Sequence, residues 1–251
     1  MTISQATFLK ALTTASLVLT LGACQTKAPP PVSDNDIAQF SQATEAKALS
    51  TIVSLKNCMS LGGELGSEAK SIYQSWFNDH GKLVEASERY LQKSRNDLVE
   101  WQGLNFSLIS VKNYHDTLLA IKNRQNLANR GPEARHDICT NVYSNTQSYA
   151  PSAGNERVIS ALYERVNISN KAEAGMFVMS DLLPAFPAPG KSFYQVTQSL
   201  QPHCAQTVEI VTLMNDWPIE TYASYCDNSG LALLQCEWGK CTKQLPTDAQ
   251  I

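Results

Sequence analysis

Two histidines of this chain are each followed by an aspartate, at His115-Asp116 and at His136-Asp137. A His-Asp dipeptide presents an imidazole nitrogen and a carboxylate oxygen, and two such dipeptides brought together can hold a cation that activates water for hydrolysis. A two-residue motif carries little information in 251 residues, so the alternative is a pair of ordinary helix-surface dipeptides. The hydrolase hypothesis therefore requires all four side chains to converge within coordination distance.

The other patterns that could support chemistry are incomplete. Glu133-Ala134-Arg135-His136 has the one-turn spacing at which a carboxylate and an imidazole share an iron in helical bundles, but such sites need a second copy and the sequence has none. The sequence also lacks Cys-x-x-Cys and Gly-x-Ser-x-Gly, which thiolate metal sites and nucleophile elbows use. We therefore assign no catalytic residue, metal ligand or cofactor, and the sequence favours a protein that is not an enzyme.

The charge balance argues against one class of partner. The chain has 20 Lys and Arg residues against 23 Asp and Glu residues, which gives a formal net charge of −3. Recognition of nucleic acid requires clustered positive charge, so we expect no nucleic-acid partner. The hydrophobic content of 43% is ample for a core.

The N-terminal segment has the features of an export signal. Residues 1–23 contain one basic residue, Lys10, and a mostly apolar run from Ala11 to Leu21 that is too short for a stable transmembrane anchor. The run closes on Leu21-Gly22-Ala23-Cys24, which resembles the lipobox of bacterial lipoproteins. The alternative is an ordinary secretory signal that happens to contain a cysteine.

The lipobox resemblance implies where the protein works. It implies that residues 1–23 are removed, that Cys24 is acylated, and that several acyl chains on this residue anchor the protein to a lipid bilayer. Gln25 rather than Asp follows the cysteine, which in lipoproteins implies sorting to the outer membrane. The expected location is therefore the periplasmic face of a bacterial outer membrane.

The cysteines predict a disulfide framework. With Cys24 acylated, an even number remains, and an oxidising periplasm favours three disulfides among fifteen connectivities. Cys236 and Cys241 enclose four residues that include Gly239, as a small hairpin stapled at its base would need, so we predict this pair. By exclusion and by position along the chain, the other predicted pairs are Cys204 with Cys226 and Cys58 with Cys139.

Apolar residues recur at intervals of three or four along most of the chain, which predicts helices. Ser33 and Asp36 resemble a capping box at the first helix, which Gly62-Gly63 ends. Residues 82–129 form either one long helix, continuous or kinked at Gly103, or two helices. The predicted helical segments are residues 33–61, 68–79, 82–129, 133–149, 156–183 and 192–216, the last kinked at Pro202.

Two later segments differ from this pattern. After Trp217-Pro218, residues 221–225, 231–238 and 241–245 could form short strands around a turn at 227–230, with irregular coil as the alternative. In the proline-rich segment that follows residue 181, Leu183 and Phe186 offer bulky side chains that could form a docking loop for a partner. The alternative is that this loop folds back over the core.

The sequence thus predicts a mainly α protein, an irregular multi-helix bundle or stacked helical hairpins with a small disulfide-stapled C-terminal β or coil appendix. The predicted segments are a signal peptide (1–23), a lipidated cysteine with a proline-rich tether (24–36), a helical domain (37–217) and a cysteine-rich appendix (218–251). The predicted function is a non-catalytic binding or scaffold module that docks to an envelope protein or a cell-wall polymer. The alternatives are a metal-dependent hydrolase that uses the His-Asp dipeptides and a binder of a small apolar ligand.

Overall fold

A computed structural model describes residues 30–246, apart from residues 94, 96, 167–174, 205–207 and 227–229. The predicted signal peptide and Cys24 lie outside the described residues. The chain divides into residues 1–31 and one compact unit of residues 32–251, and the description below concerns the second unit. No helix in the described part of the chain combines the length and the apolarity that crossing a membrane requires.

The first helix begins and ends where the sequence predicts. Helix α1 (Asp34–Met59) begins at a capping box, in which the Ser33 hydroxyl accepts from the Asp36 amide and the Asp36 carboxylate accepts from the Ser33 amide. The chain then turns at Gly62 and Gly63, both of which have positive φ. These local signals fix the boundary between α1 and the next helix.

The predicted break between the helical segments 68–79 and 82–129, at Gly81, is wrong, because helix α2 (Gly63–Gln92) runs through it. One glycine inside a helix costs only about 1 kcal/mol. The helix packs along α1 over its length, and burial of that face outweighs so small a penalty.

The prediction that residues 82–129 form one or two helices is also wrong. After α2 ends, strands β1 (Leu98–Trp101) and β2 (Leu104–Ser107) form an antiparallel hairpin, and only then does helix α3 (Leu108–Gln125) begin. The hairpin turn consists of Gln102 and Gly103, both with positive φ, as the turns favoured in two-residue hairpins require. The turn conformation thus overrides an apolar spacing that also fits a helix.

The middle of the chain is helical in the predicted places. Helix α4 (Pro132–Gln147) begins with proline in its first turn, and helix α5 (Glu156–Arg165) follows a loop. The predicted helix over residues 156–183 is present as α5 and as α6 (Met176–Leu182), with residues 167–174 between them outside the described residues. The segment that follows α6 is not helical, as its prolines predict.

The predicted helix over residues 192–216 is wrong beyond its first third. Helix α7 (Phe193–Leu200) ends in a short 3-10 turn that contains Pro202, and strand β3 (Val208–Asp216) follows. Alternating apolar residues suit this strand, and proline stops the helix before it.

The C-terminal region is a sheet and not a coil. Strand β3 pairs in an antiparallel meander with β4 (Ile219–Cys226), β5 (Gly230–Glu237) and β6 (Lys240–Gln244), in the order β3-β4-β5-β6. The predicted short strands are therefore confirmed, within a larger sheet than the sequence indicated. The predicted segment boundary at residue 218 falls in the turn between β3 and β4.

The sheet shares one hydrophobic core with the helices. Val211, Ala223 and Leu233 of the sheet belong to the same buried cluster as Ile52 of α1 and Val111 of α3. At the edge of this core the Tyr225 hydroxyl donates to the Leu108 carbonyl at 2.8 Å. The C-terminal strands are thus part of the main body of the protein.

Three disulfides join the described cysteines in the same pairs that the sequence favoured. Cys58 to Cys139 ties the end of α1 to α4. Cys236 and Cys241 face each other on β5 and β6, so their disulfide staples that hairpin. The third bond joins Cys204, which follows α7, to Cys226 at the end of β4.

Candidate functional site

The two His-Asp dipeptides lie on different helices and in different surroundings. His136 and Asp137 are exposed on α4. Within the described residues, the one group of three potential metal ligands consists of His115, Asp116 and Glu209, and it includes neither residue of the second dipeptide. The convergence of four side chains that the hydrolase hypothesis requires is therefore not found.

The group around Asp116 is an ion-pair cluster. The Lys112 ammonium donates to Asp116 at 2.7 Å and to Glu209 at 2.9 Å, so a cation of the protein itself already bridges the two carboxylates. His115 lies 3.3 Å from the Asp116 carboxylate. The cluster ties α3 to strand β3, which is a structural role.

The two residues of the predicted docking loop pack inward. Leu183 is only 2% exposed. Phe186 packs on the core, with its ring centroid 5.7 Å from that of Tyr114 and 4.8 Å from that of His115. Leu183 is thus buried and Phe186 partly buried against the core, as the alternative of a folded-back loop expects, and docking by this loop stays a prediction.

The described residue with the clearest sign of function is Glu88, in the second half of α2. Its side chain is buried, with 2% of the residue exposed. One carboxyl oxygen, Oε1, accepts a hydrogen bond from the Met176 amide at 2.7 Å, whereas Oε2 has no hydrogen-bond partner. A buried polar atom without a partner costs free energy, so its presence requires an explanation.

The surroundings of Glu88 favour its protonated form. Burial raises the pKa of Glu88 to about 8; the amide of Met176 and the guanidinium of Arg95 oppose this rise, and the carboxylates of Glu45 and Glu85 add to it. At neutral pH the group is therefore mostly an uncharged carboxylic acid. In that form it can donate a hydrogen bond as well as accept one.

Helix α6 fixes the position of the Glu88 carboxyl group. Met176 is the first residue of α6, so its amide has no partner within the helix and is free to bond to Glu88. The preceding residue is Gly175, where a Cβ atom would lie only 2.7 Å from Glu88 Oε2. The absence of a side chain at Gly175 allows the two segments to approach this closely.

Glu88 lines a pocket of about 440 Å³ between α2 and α6. Its apolar walls include Phe77, Phe177 and Val178, and the two phenyl rings meet edge to face at 4.7 Å. The charged side chains of Lys82, Glu85 and Arg89 also line it. A pocket of this size with apolar walls and a few polar groups is typical of small-ligand sites. A group with a strongly shifted pKa in such a place marks a candidate site.

Other buried polar atoms near this part of α2 are also unsatisfied. Ser87 Oγ and Gln92 Oε1 have no partner, and Gln92 also lines the pocket. By contrast, the nearby Glu45 carboxylate is paired with Arg95 at 3.1 Å. Trp76 Nε1 is also unsatisfied, so two of the four unsatisfied side-chain atoms on α2, those of Glu88 and Gln92, belong to residues that line the pocket.

The position of Glu88 in the sequence indicates that its side chain is buried, although the helical pattern alone did not distinguish this residue. Glu88 follows Val84 by four residues and precedes Leu91 by three, so it lies on the apolar face of α2. A carboxylate at a core position is unusual, and it indicates a pairing partner or a functional role. Met176 and Gly175 carry no comparable local signal.

The chain matches no protein-family profile, no curated protein and no solved structure.

Proposed function

We propose that this protein is a lipid-anchored, non-catalytic binding protein of the outer membrane, and that it holds a small, largely apolar ligand in the pocket between α2 and α6. The observation that carries this proposal is the unpartnered Oε2 atom of buried Glu88, a residue that lines a pocket together with Phe77, Phe177 and Val178. The location on the periplasmic face rests on the resemblance of Leu21-Gly22-Ala23-Cys24 to a lipobox.

The pocket favours a ligand with an apolar body and one hydrogen-bond acceptor. Phe77, Phe177 and Val178 supply apolar contact area, which favours an aromatic or alicyclic body. The protonated carboxyl group of Glu88 can donate one hydrogen bond, which a carbonyl or ether oxygen of the ligand would accept. Such a ligand would satisfy the buried atom that the protein leaves unpaired.

The binding test uses Prodan, a neutral naphthalene with a ketone oxygen whose fluorescence reports both polarity and hydrogen bonding. We expect saturable binding to the wild-type protein. Glu88→Leu removes the donor and should weaken binding at least about fivefold, whereas Glu88→Gln keeps an N–H donor and should stay within about twofold. Gly81→Leu places a side chain in the pocket wall, with its Cβ 3.1 Å from the Phe77 ring, and should abolish binding.

Matched controls make the binding result decisive. Glu68→Leu, at an exposed position of the same helix, should leave Prodan affinity unchanged. Circular dichroism of each variant establishes that it is folded. Prodan affinity that is equal in wild type, Glu88→Leu and Gly81→Leu would show that the dye binds elsewhere, and the proposal would then fail.

The anchoring part of the proposal has a separate test. Mass spectrometry of the N-terminal peptide should find an acylated Cys24 with residues 1–23 absent. An unmodified Cys24 thiol in the mature protein would exclude the lipoprotein assignment and would leave the pocket unaffected.

A further inference from the structure

A second concave surface lies between α1, α3 and α4, and it lacks the aromatic side chains that line the pocket beside Glu88. This cleft has a volume of about 450 Å³. Two cations line it, Lys47 from α1 and Arg124 from the last turn of α3, and no carboxylate is among the described residues that line it. Most other lining side chains carry hydroxyl or amide groups, namely Ser50, Thr51, Ser54, Gln125, Asn141, Asn145 and Thr146.

The polar groups on the floor of this cleft can form further hydrogen bonds. The Thr51 hydroxyl donates to the Lys47 carbonyl at 2.9 Å and the Thr146 hydroxyl donates to the Val142 carbonyl at 2.8 Å. Each hydroxyl oxygen therefore keeps lone pairs that can accept a hydrogen bond. The floor consists of the side chains of Thr51, Thr146 and Gln125, and all three are buried.

Gln125 adds a donor to this floor. Its Oε1 atom accepts from the side-chain amide of Asn57, so its own NH₂ group is oriented by that bond and remains available to donate. The floor thus offers two acceptors and one donor at fixed places. This mixture fits ligand hydroxyl groups, which both donate and accept.

The rim of the cleft is positively charged. Neither Lys47 nor Arg124 forms an ion pair with any described carboxylate, although the whole chain has a net charge of −3. Asn141 and Asn145 are four residues apart on α4, so their amides project from one face of that helix beside the cations. The rim therefore suits a ligand with a negative charge.

A covalent link holds two walls of the cleft together. Cys58 lies one turn beyond Ser54 on α1, and Cys139 lies between Ile138 and Asn141 on α4. Their disulfide keeps these two helices at a fixed separation. A preformed site of this kind loses less free energy on binding than one that must be ordered by its ligand.

We propose that this cleft binds a sugar that carries a carboxylate, of the kind found in the glycan strands of a cell wall. The ring hydroxyls bond to Thr51, Thr146 and Gln125 on the floor. The carboxylate pairs with Lys47 and Arg124 at the rim, and Asn141 and Asn145 bond to the acetamido and hydroxyl groups that remain at the surface. This site is separate from the pocket beside Glu88 and does not depend on it.

The test compares two disaccharides that differ in one group. N-acetylglucosaminyl-N-acetylmuramic acid carries a lactyl carboxylate, which di-N-acetylchitobiose lacks. We expect calorimetric affinity of the wild-type protein for the muramyl disaccharide to be at least about tenfold higher, because charge-assisted hydrogen bonds are the stronger ones. This preference should decrease as salt concentration rises.

Variants assign the preference to the rim and the floor. The double variant Lys47→Gln and Arg124→Gln should reduce affinity for the muramyl disaccharide to that for chitobiose. Thr146→Val removes one floor acceptor and should weaken both sugars by a similar factor, about fivefold. Lys122→Gln, at an exposed position near Arg124 on α3, is the matched control and should change neither affinity.

Three results would overturn the proposal. The first is equal affinity of the wild-type protein for the two disaccharides, and the second is a preference that survives in the double variant. The third is competition by inorganic phosphate as strong as that by the muramyl disaccharide, which would indicate an unspecific anion site. Glu88→Leu should leave sugar binding intact, so failure of one site is distinguishable from failure of the other.

Discussion

Glu88 and Glu220 are both buried carboxyl groups, yet their surroundings favour opposite protonation states. Glu220, on β4, has no exposed surface, and it accepts from the Lys191 amide at 2.7 Å, the Ser192 amide at 2.8 Å and the Tyr222 hydroxyl at 2.8 Å. Burial alone would raise the pKa of Glu220, but the hydrogen bonds from Ser192, Tyr222 and Lys191 more than offset it and hold the pKa below its usual value. Glu88 has one such donor, and its pKa is raised.

The difference follows from the kind of backbone that surrounds each group. Residues 188–192 approach Glu220 as a loop, whose amides are not used in a helix or a sheet and can converge on one carboxylate. Glu88 lies inside the helix pair of α1 and α2, where backbone amides are already bonded within each helix. Among backbone amides, only that of Met176, the first residue of α6, donates to Glu88. The number of available backbone donors therefore decides which of the two carboxyl groups is charged.

The largest expected effect is that of Glu220→Gln. The new amide nitrogen would face either the Lys191 amide or the Ser192 amide and the Tyr222 hydroxyl, so buried donors would lose their acceptor. We expect the free energy of unfolding at pH 7 to fall by about 4 kcal/mol, measured by urea denaturation.

The pH dependence of the Glu220→Gln effect checks its cause. A carboxyl group with a lowered pKa stabilises the fold above the pH at which it ionises in the unfolded chain, and this stabilisation is lost as pH falls through the folded pKa. The gap between wild type and Glu220→Gln should therefore narrow in acid. A gap that is constant with pH would mean that ionisation of Glu220 is not the origin of the effect.

The same substitution at Glu88 should have the opposite sign. Because the pKa of Glu88 is about 8 in the folded protein and near 4.5 when unfolded, the folded state binds the proton more tightly. The contribution of Glu88 to the free energy of unfolding is therefore full below about pH 4.5, falls by about 1.4 kcal/mol per pH unit above it, and levels off above about pH 8. Glu88→Gln lacks this loss and should be more stable than wild type by about 3 kcal/mol at pH 7.

This second effect is measured as the difference between two stability profiles from pH 4 to pH 9, since contributions from other groups cancel. Parallel profiles for wild type and Glu88→Gln would contradict a raised pKa of Glu88. Opposite signs for Glu220→Gln and Glu88→Gln would establish that the supply of donors separates the two sites.

The smallest expected effect is the difference in stability lost when the glycine that lies against each carboxyl group is replaced by alanine. A Cβ atom at Gly190 would collide with Glu220 Oε1 and lie 2.7 Å from Asn215 Oδ1, and three hydrogen bonds prevent that carboxylate from moving. We expect Gly190→Ala to destabilise the protein by about 2 kcal/mol. At Gly175 the added methyl group meets Glu88 Oε2, which has no hydrogen-bond partner to hold it in place, so Gly175→Ala should cost about 1 kcal/mol or less.

Thermal unfolding of both alanine variants at pH 6 measures this difference in rigidity. Neither glycine has a positive φ, so the comparison reports contact and not backbone strain. Equal losses of stability at the two positions would show that the Glu88 carboxyl group is held as firmly as that of Glu220.

Features of the fold that depend on neighbouring residues were predictable from sequence. The capping box of Ser33 and Asp36, the end of the first helix before Gly62-Gly63 and the start of a helix near residue 133 are local, and the structure confirms each. Strand β1 was missed because Leu98, Trp101, Leu104 and Leu108 recur at helical intervals. The turn at Gln102-Gly103 separates them, and Gln-Gly is a weaker turn signal than Asn-Gly or Asp-Gly.

The candidate site could be predicted only in part, because its members are distant in sequence. Glu88 and Met176 are 88 residues apart, and only the packing of α6 against α2 brings the amide to the carboxyl group. The spacing of Glu88 from Val84 and Leu91 could have shown that it is buried. It could not have shown that a pocket lies beside it, because pocket walls depend on tertiary packing.

The order of the cysteines has a consequence for how the protein matures. The described cysteines are bonded in consecutive pairs along the chain: Cys58 to Cys139, Cys204 to Cys226, and Cys236 to Cys241. If Cys24 is acylated and the chain is exported with its N-terminus first, the correct partner of the first cysteine in each pair is the next thiol to emerge. An oxidase that joins thiols in order of arrival would then produce the native set directly, and the protein would mature without disulfide isomerisation.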